Sequence, residues 1–282
     1  MYTLIAENES GERLQLTDNP NYDVLDVSGT SPPAANVNYS SVVGLDGALF
    51  NSSIVGIRNI VLTLNIQHPI ERNRIALYRI FRPKRKIRIY YTNNSRDVYI
   101  DGYVETFDNN PWTQLQQPQI SIICCQPFWL SVAETVVRFS NSIALFEFPF
   151  SIPSEGVEFS RYERLSSDFV DVGEIDTGGV IRFVALDDGI VNPKFYNRTT
   201  GEYIGFNITM ARGDEITVNT EQGKKSAVLL REGVTTNLLS YRSIGSTWVQ
   251  FVAGTNEVSY DADEGAEDLE PSLTIVQKYE GV

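Results

Sequence analysis

A chain of 282 residues with 42% hydrophobic content can bury two cores of about 140 residues each, which excludes a disordered adaptor and a fibre. Its formal charge of −13 is unevenly held: residues 1–140 carry 12 Lys+Arg against 13 Asp+Glu, and residues 141–282 carry 11 against 23, so the second half repels nucleic acid and anionic membranes. No apolar run approaches the roughly 18 residues of a membrane helix, Met1–Ala6 lacks the regions of a secretion signal, and the only cysteines, Cys124 and Cys125, are neighbours that cannot staple distant segments, so a cytosolically assembled protein with reduced thiols is expected.

From the first residues, YTLIAEN and ERLQLT flank Ser10-Gly11 as a tight hairpin, and YDVLDVS follows as a third strand. Residues 28–53 form a long insertion in which 14 of 26 residues are Ser, Gly, Pro or Asn, so the segment is functional or disordered rather than a simple connection. Within it VNYSSVV and ALFNSS lie either side of Gly44-Leu45-Asp46-Gly47, and Asp-Gly between β-prone runs signals a hairpin. The expectation is a projecting β-arm. Two strands have no core of their own, so Val37, Tyr39, Val42, Leu45, Leu49 and Phe50 need cover, and Asp46 marks the turn. A neighbouring subunit is the natural cover; an arm folded back on its own domain is the other reading.

IVGIRNIVLTLNI (54–66) reads as one long strand, and IERNRIALYRIF (70–81) as a short helix bounded by Pro69 and Pro83. At 100° per residue Ile70, Leu77, Tyr78, Ile80 and Phe81 share a face that packs on a sheet, with Arg74 inside that face and Ile75 outside it. KIRIYYT and DVYIDGYVETF form a hairpin around Asn93 and Asn94, and PQISIICCQPFW (118–129) a further strand. After Pro149, turn residues recur every 8 to 12 positions, the pattern of a β-sandwich or barrel. Its predicted strands include VIRFVA, YIGFNITM, EITVNT, SAVLL, TWVQFV and EVSY, closed by SLTIVQKYEGV.

The inventory for chemistry is thin. His68 is the single histidine, Cys124-Cys125 lacks CxxC spacing, Asp261–Gly265 lacks the ligand order of a calcium loop, and no phosphate-binding glycine motif occurs. No catalytic, cofactor or metal site is expected. Arg72, Arg74, Arg79, Arg82, Lys84, Arg85, Lys86 and Arg88 form a basic cluster that suits subunit or partner contacts, with Arg72, Arg74, Arg82 and Arg85 the main candidates; nucleic-acid contact is the lesser reading. In the second half, Tyr241 and Trp248 could stack on a sugar, although Trp248 lies in an alternating strand where the interior is equally available.

The order of strand, helix, hairpin and strand over 54–129, with Arg58-Asn59-Ile60, the basic segment after the helix, YIDGYVE and Cys125-Gln126-Pro127-Phe128, resembles the N-terminal domain of siphophage distal tail (Dit) proteins. The second half, including Tyr279-Glu280-Gly281-Val282, resembles their galectin-like or carbohydrate-binding-module-like C-terminal domain. The resemblance implies a mainly β protein: an α+β ring-forming domain over 1–140 carrying the arm (28–53), and a β-sandwich over 141–282 whose last strand can return to the first domain. It also implies a non-enzymatic virion protein without cofactors, assembled in the host cytoplasm into a hexameric ring at the tail tip. Its partners would be itself, the tail tube protein, the tail hub and receptor-binding or baseplate proteins, with no membrane contact and DNA only passing through the channel. The arm would embrace the next subunit. The rival reading is a host-glycan adhesin acting through the sandwich.

Overall fold

Alternating apolar residues build the first of two compact units, residues 1–133 with 278–282; the second comprises 134–277. The structure, a computed structural model, describes residues 2–44, 46–139, 143–144, 160–161 and 167–282.

The first unit contains β1 (Thr3–Asn8), β2 (Arg13–Gln15), β3 (Tyr22–Ser28), β4 (Ala35–Ser40), β5 (Leu49–Val55), β6 (Arg58–Ile66), α1 (Ile70–Ile80), β7 (Lys86–Thr92), β8 (Asp97–Asp108), β9 (Gln119–Cys124) and β10 (Trp129–Ser131). Its main sheet runs β2-β1-β7-β8-β9-β6-β3, antiparallel throughout, and β10 pairs with the early part of β8. Ile60, Leu62, Leu64 and Ile66 of β6, Val98, Ile100 and Val104 of β8, and Ile120, Ile122 and Cys124 of β9 all join one buried core. Gly102 is required where β8 crosses β9, since a Cβ there would lie 2.6 Å from Ile122 Cγ2 and 2.9 Å from Cys124 Sγ.

Helix α1 adds Leu77 and Ile80 to that core, with Phe81 just beyond its end. Tyr78, expected on the inner face, is 42% exposed and meets Phe107 edge-on at 5.0 Å. Its place is taken by buried Asn73, whose Nδ2 donates to Gln67 O (2.9 Å) and Asn21 Oδ1 (3.2 Å), while its own carbonyl accepts the Tyr22 hydroxyl (2.9 Å). Arg74 lies half-buried beside Gln116, and Ile75 is exposed.

Two expected strands are each divided. The run 54–66 breaks at Gly56-Ile57, so Ile54 and Val55 end β5 of the arm while β6 begins at Arg58. The run 118–129 breaks after Cys124, because Pro127 cannot donate to a ladder, and resumes as β10.

The second unit contains β11 (Thr135–Arg138), β12 (Ile143–Ala144), β13 (Ser160–Arg161), β14 (Ser167–Asp171), β15 (Gly179–Ala185), β16 (Ile190–Val191), β17 (Lys194–Asn197), β18 (Glu202–Gly205), β19 (Thr209–Met210), β20 (Glu215–Asn219), β21 (Ser226–Arg231), β22 (Val234–Asn237), β23 (Gly254–Asp261) and β24 (Leu269–Ile275). A six-stranded sheet, β11-β24-β15-β20-β21-β22, and a four-stranded sheet, β14-β23-β17-β18, share one core, to which Ile181, Phe183 and Leu273 contribute from the first and Phe195, Ile204 and Val258 from the second. YIGFNITM is split between β18 and β19. TWVQFV alternates as expected, with Val249 and Phe251 buried, but it joins no ladder beyond a bridge from Phe251 to Thr177. Much of its backbone is satisfied by single groups instead: Thr247 N–H donates to Tyr203 O, Gln250 N–H to Glu202 Oε2 and Val252 N–H to Asn256 Oδ1. Burial period and strand pairing are therefore separate properties here.

The closing run SLTIVQKYEGV is divided as well. Its first part completes β24 in the second unit, whereas β25 (Lys278–Tyr279) pairs with β10 in the first, Trp129 opposite Tyr279.

Candidate assembly site

The arm is a two-stranded sheet of its own, β4 against β5, in register from Ala35 opposite Val55 to Ser40 opposite Leu49. A bulge after Asn38 makes Asn51 the extra residue, and Asn51 Nδ2 donates to Ser40 Oγ at 2.6 Å. Gly44 and Gly47 take positive φ at the tip, as the hairpin turn requires. Every residue of β4 and all but the last of β5 are exposed. Tyr39 and Phe50, a directly opposed pair, are each 67% exposed; Val37, Val42, Leu49 and Ile54 are exposed too, as is Asp46. Leu45 lies outside the described residues. The hairpin carries one carboxylate, Asp46, and no cation between residues 35 and 55.

Its root is constructed differently. Gly29 has φ +80°, and a Cβ there would fall 2.0 Å from Asn59 O, so only glycine lets the chain leave β3 this close to β6. Arg58, at the start of β6, is 3% exposed. Its Nε donates to Pro127 O at 2.6 Å, its Nη1 to Gly29 O at 2.7 Å and Ser31 O at 2.9 Å, and its Nη2 to Glu280 O. Among the described residues it makes no ion pair; its charge is solvated by carbonyl dipoles, and burial lowers its pKa against smaller raising effects from Cys124 and Glu280. Val282 N–H donates to Thr30 O (3.2 Å), Arg96 donates to Gly281 O, and the Arg96 guanidinium lies 4.7 Å over the Tyr279 ring. The sequence does carry a signal for this position: a cation in phase with Ile60, Leu62 and Leu64 sits on the buried face of β6.

The basic cluster is largely neutralised within the unit. Arg79 pairs with Glu12 at 2.5 Å, Arg85 with Glu9 at 3.1 Å, Lys86 with Asp101 at 3.0 Å, and Arg88 grips Asp101 with two bonds of 2.7 and 3.0 Å. Burial pushes the Asp101 carboxyl up, but its bonds to Arg88 and Lys86 outweigh that and hold it below the usual carboxylate range. Arg74 reaches Glu71 at 3.8 Å. Arg72 and Arg82 are exposed without an ion pair among the described residues, and Arg72 lines a shallow cleft of about 710 Å³ with Ile75, Ala76 and Arg79 on the outer side of α1. Such a surface suits weak charged contacts and offers no groove of free cations for phosphates.

In the second unit Tyr241 lines a cleft of about 530 Å³ with Asn207, Thr209, Val234, Thr236 and Leu238. Trp248 does not line it: that ring packs half-buried on the core, with the Arg242 guanidinium 4.8 Å and the Lys225 ammonium 5.9 Å from its centroid. The structure thus does not gather the two aromatic candidates at one cleft. Among the described residues no group of three or more His, Cys, Asp or Glu side chains could hold a metal, and no helix is long and apolar enough to cross a membrane. Burial pushes the Cys124 thiol up to about 12, which removes it as a nucleophile.

No curated protein matches the sequence. Residues 9–124 match the family profile of the phage tail protein RIFT-related domain. The crystal structure of the Dit protein of phage SPP1, described as a paradigm of the hub adsorption apparatus in phages infecting Gram-positive hosts, is similar over 99% of both chains, with a TM-score of 0.69 at 14% identity. The phage P2 baseplate in its activated conformation with calcium gives a TM-score of 0.56 at 10% identity over 100% of both chains, and the strontium form 0.54 at 10% over 98% of both. Residues 9–124 of the first unit are therefore similar to a phage tail protein RIFT-related domain, and along nearly its whole length the chain shares the mainly β fold of the SPP1 Dit protein.

Proposed function

We propose that this protein is a non-enzymatic structural component of a phage tail tip, whose copies close into a ring that joins the tail tube to the tail hub and the receptor-binding apparatus. Six copies is the number implied by the resemblance to distal tail proteins. A cyclic ring needs heterologous contacts, in which one surface of a subunit fits a different surface of the next. The single observation that carries this reading is the arm: an ordered hairpin with Val37, Tyr39, Leu49, Phe50 and Ile54 all open to solvent, which gains stability only against another surface. The next copy supplies that surface. Internal pairing of Arg79, Arg85, Lys86 and Arg88 suits a channel wall or subunit face past which DNA slides, since each free phosphate contact would retard it. Tube, hub and baseplate proteins are the partners such a ring requires, and the virion tail tip is its location.

Native mass spectrometry of the purified protein tests the ring. A six-fold species that dissociates when Leu45-Asp46-Gly47 and their flanks are deleted supports it, and an assembly indifferent to that deletion refutes it. A glycan-binding role for the second unit has one observation in its favour, the half-exposed Tyr241 ring beside Asn207, Thr209 and Thr236 on one cleft. Binding in a glycan screen that disappears in Tyr241→Ala would support the adhesin, and no binding at millimolar sugar would remove it.

A further inference from the structure

We infer that Arg58 and the segment 278–282 form a latch that sets the direction of the arm, so that a chain becomes competent to clasp its neighbour only after the part following the second unit has docked. This inference rests on the reading of the arm as the assembly element and adds what controls it.

The arm is attached to its unit at two points, Gly29–Pro32 on the way out and Gly56–Arg58 on the way back, and its strands in between are exposed along their length. Its direction is therefore decided at the root. There a single guanidinium ties together three segments far apart in sequence: Gly29 and Ser31 of the outgoing root, Pro127 of the loop before β10, and Glu280 of the closing segment. Four carbonyls converge on one side chain with five N–H donors. A buried cation held chiefly by carbonyl dipoles tolerates the loss of one poorly, and loss of Glu280 also takes away a carboxylate that acts on Arg58 electrostatically.

The closing segment also forms one wall of the root. Val282 N–H bonds Thr30 O, and Gly281 approaches so closely that a Cβ there would lie 3.0 Å from Pro32 Cδ and 3.2 Å from Thr30 O. On the opposite side Gly29 touches Asn59 of β6. Residues 29–32 are thus clamped between β6 and residues 280–282. Arg96 secures the clamp by bonding Gly281 O while stacking over Tyr279, and β25 aligns it through Trp129 and Leu130 of β10.

Chain order gives the latch its consequence. Residues 278–282 are synthesised after the whole of the second unit, yet they complete the root of an element that begins near residue 29. Without them Arg58 Nη2 and Thr30 O lose these partners and the root loses a wall, so the arm samples many directions and must be ordered anew on each association. Incomplete chains would then be excluded from the ring.

The test compares the full chain with a chain lacking 280–282, which removes only the partly buried Val282 from the rim of the core, and with Gly281→Val, which removes none of its side chains, using amide exchange and native mass spectrometry over a range of protein concentrations. The expected result is exchange about tenfold or more faster at residues 29–34, unchanged protection in β6, β8 and β9, and self-association weakened by about tenfold or more. Arg58→Lys, which keeps the charge but supplies three donors, should fall between wild type and truncation. Unchanged exchange at the root, or a loosened root with full-strength assembly, overturns the latch. If those variants assemble normally while deletion of 41–48 abolishes assembly, the latch fails and the arm survives. If neither matters, or the full chain stays monomeric throughout, the reading of the arm fails with it.

Discussion

Replacing Phe50 and Tyr39 by serine tests the arm most directly, because each side chain faces solvent in the monomer and should be covered in the ring. A Phe or Tyr side chain offers about 150–250 Å². With 67% of each exposed, roughly 130 Å² per ring remains to be buried, worth about 3 kcal/mol per residue at about 25 cal/mol per Å². Serine recovers almost none of this, so each single substitution should weaken the subunit contact by about 2–3 kcal/mol, or about 30- to 150-fold. The isolated chain should hardly notice: neither residue belongs to either core, and the lost cross-strand pair is worth no more than about 1 kcal/mol, spent within the hairpin. Sedimentation at graded concentration measures the association, and urea unfolding measures the chain. An oligomer of undiminished strength in the double variant would refute the reasoning. So would an unfolding midpoint that falls sharply, since that would place the arm against its own body.

Asp214 is buried, and its bond from Arg231 holds its pKa below the usual carboxylate range despite an opposing contribution from burial. Because the folded value is depressed, its contribution is complete above the unfolded value of about 3.9 and is lost as pH falls through the folded one. Asp214→Asn should therefore lose about 1–2 kcal/mol at neutral pH, with Arg231 partly solvated, and the two stability curves should converge below about pH 4 in acid titration. Gly102→Val should destabilise the first unit by several kcal/mol, since even the Cβ meets Ile122 and Cys124 within van der Waals distance; a midpoint change below about 0.5 kcal/mol would show that β8 and β9 can separate there. In the native protein a maleimide should label exposed Cys125 and leave Cys124 unmodified until the chain unfolds, a result read by peptide mass mapping.

Local pattern determined much of this protein. Alternation in β6, β8 and β9 marked the residues of the first core, Pro69 and Pro83 bracketed α1, Asn93 closed its hairpin, and Asp46-Gly47 between β-prone runs announced the arm. These features depend on backbone geometry within a few residues, which side-chain type controls directly. Tertiary structure alone decided which extended runs acquire partners. TWVQFV keeps its alternating burial without a ladder, and SLTIVQKYEGV is shared between two units because its first part pairs with β11 and β15 while Lys278 and Tyr279 pair with β10. It alone also decided the fate of Arg58, whose carbonyl partners lie 69 residues away at Pro127 and 222 away at Glu280. A side chain's period reports which face it occupies; what waits on that face is set by distant segments that meet only once the chain has folded.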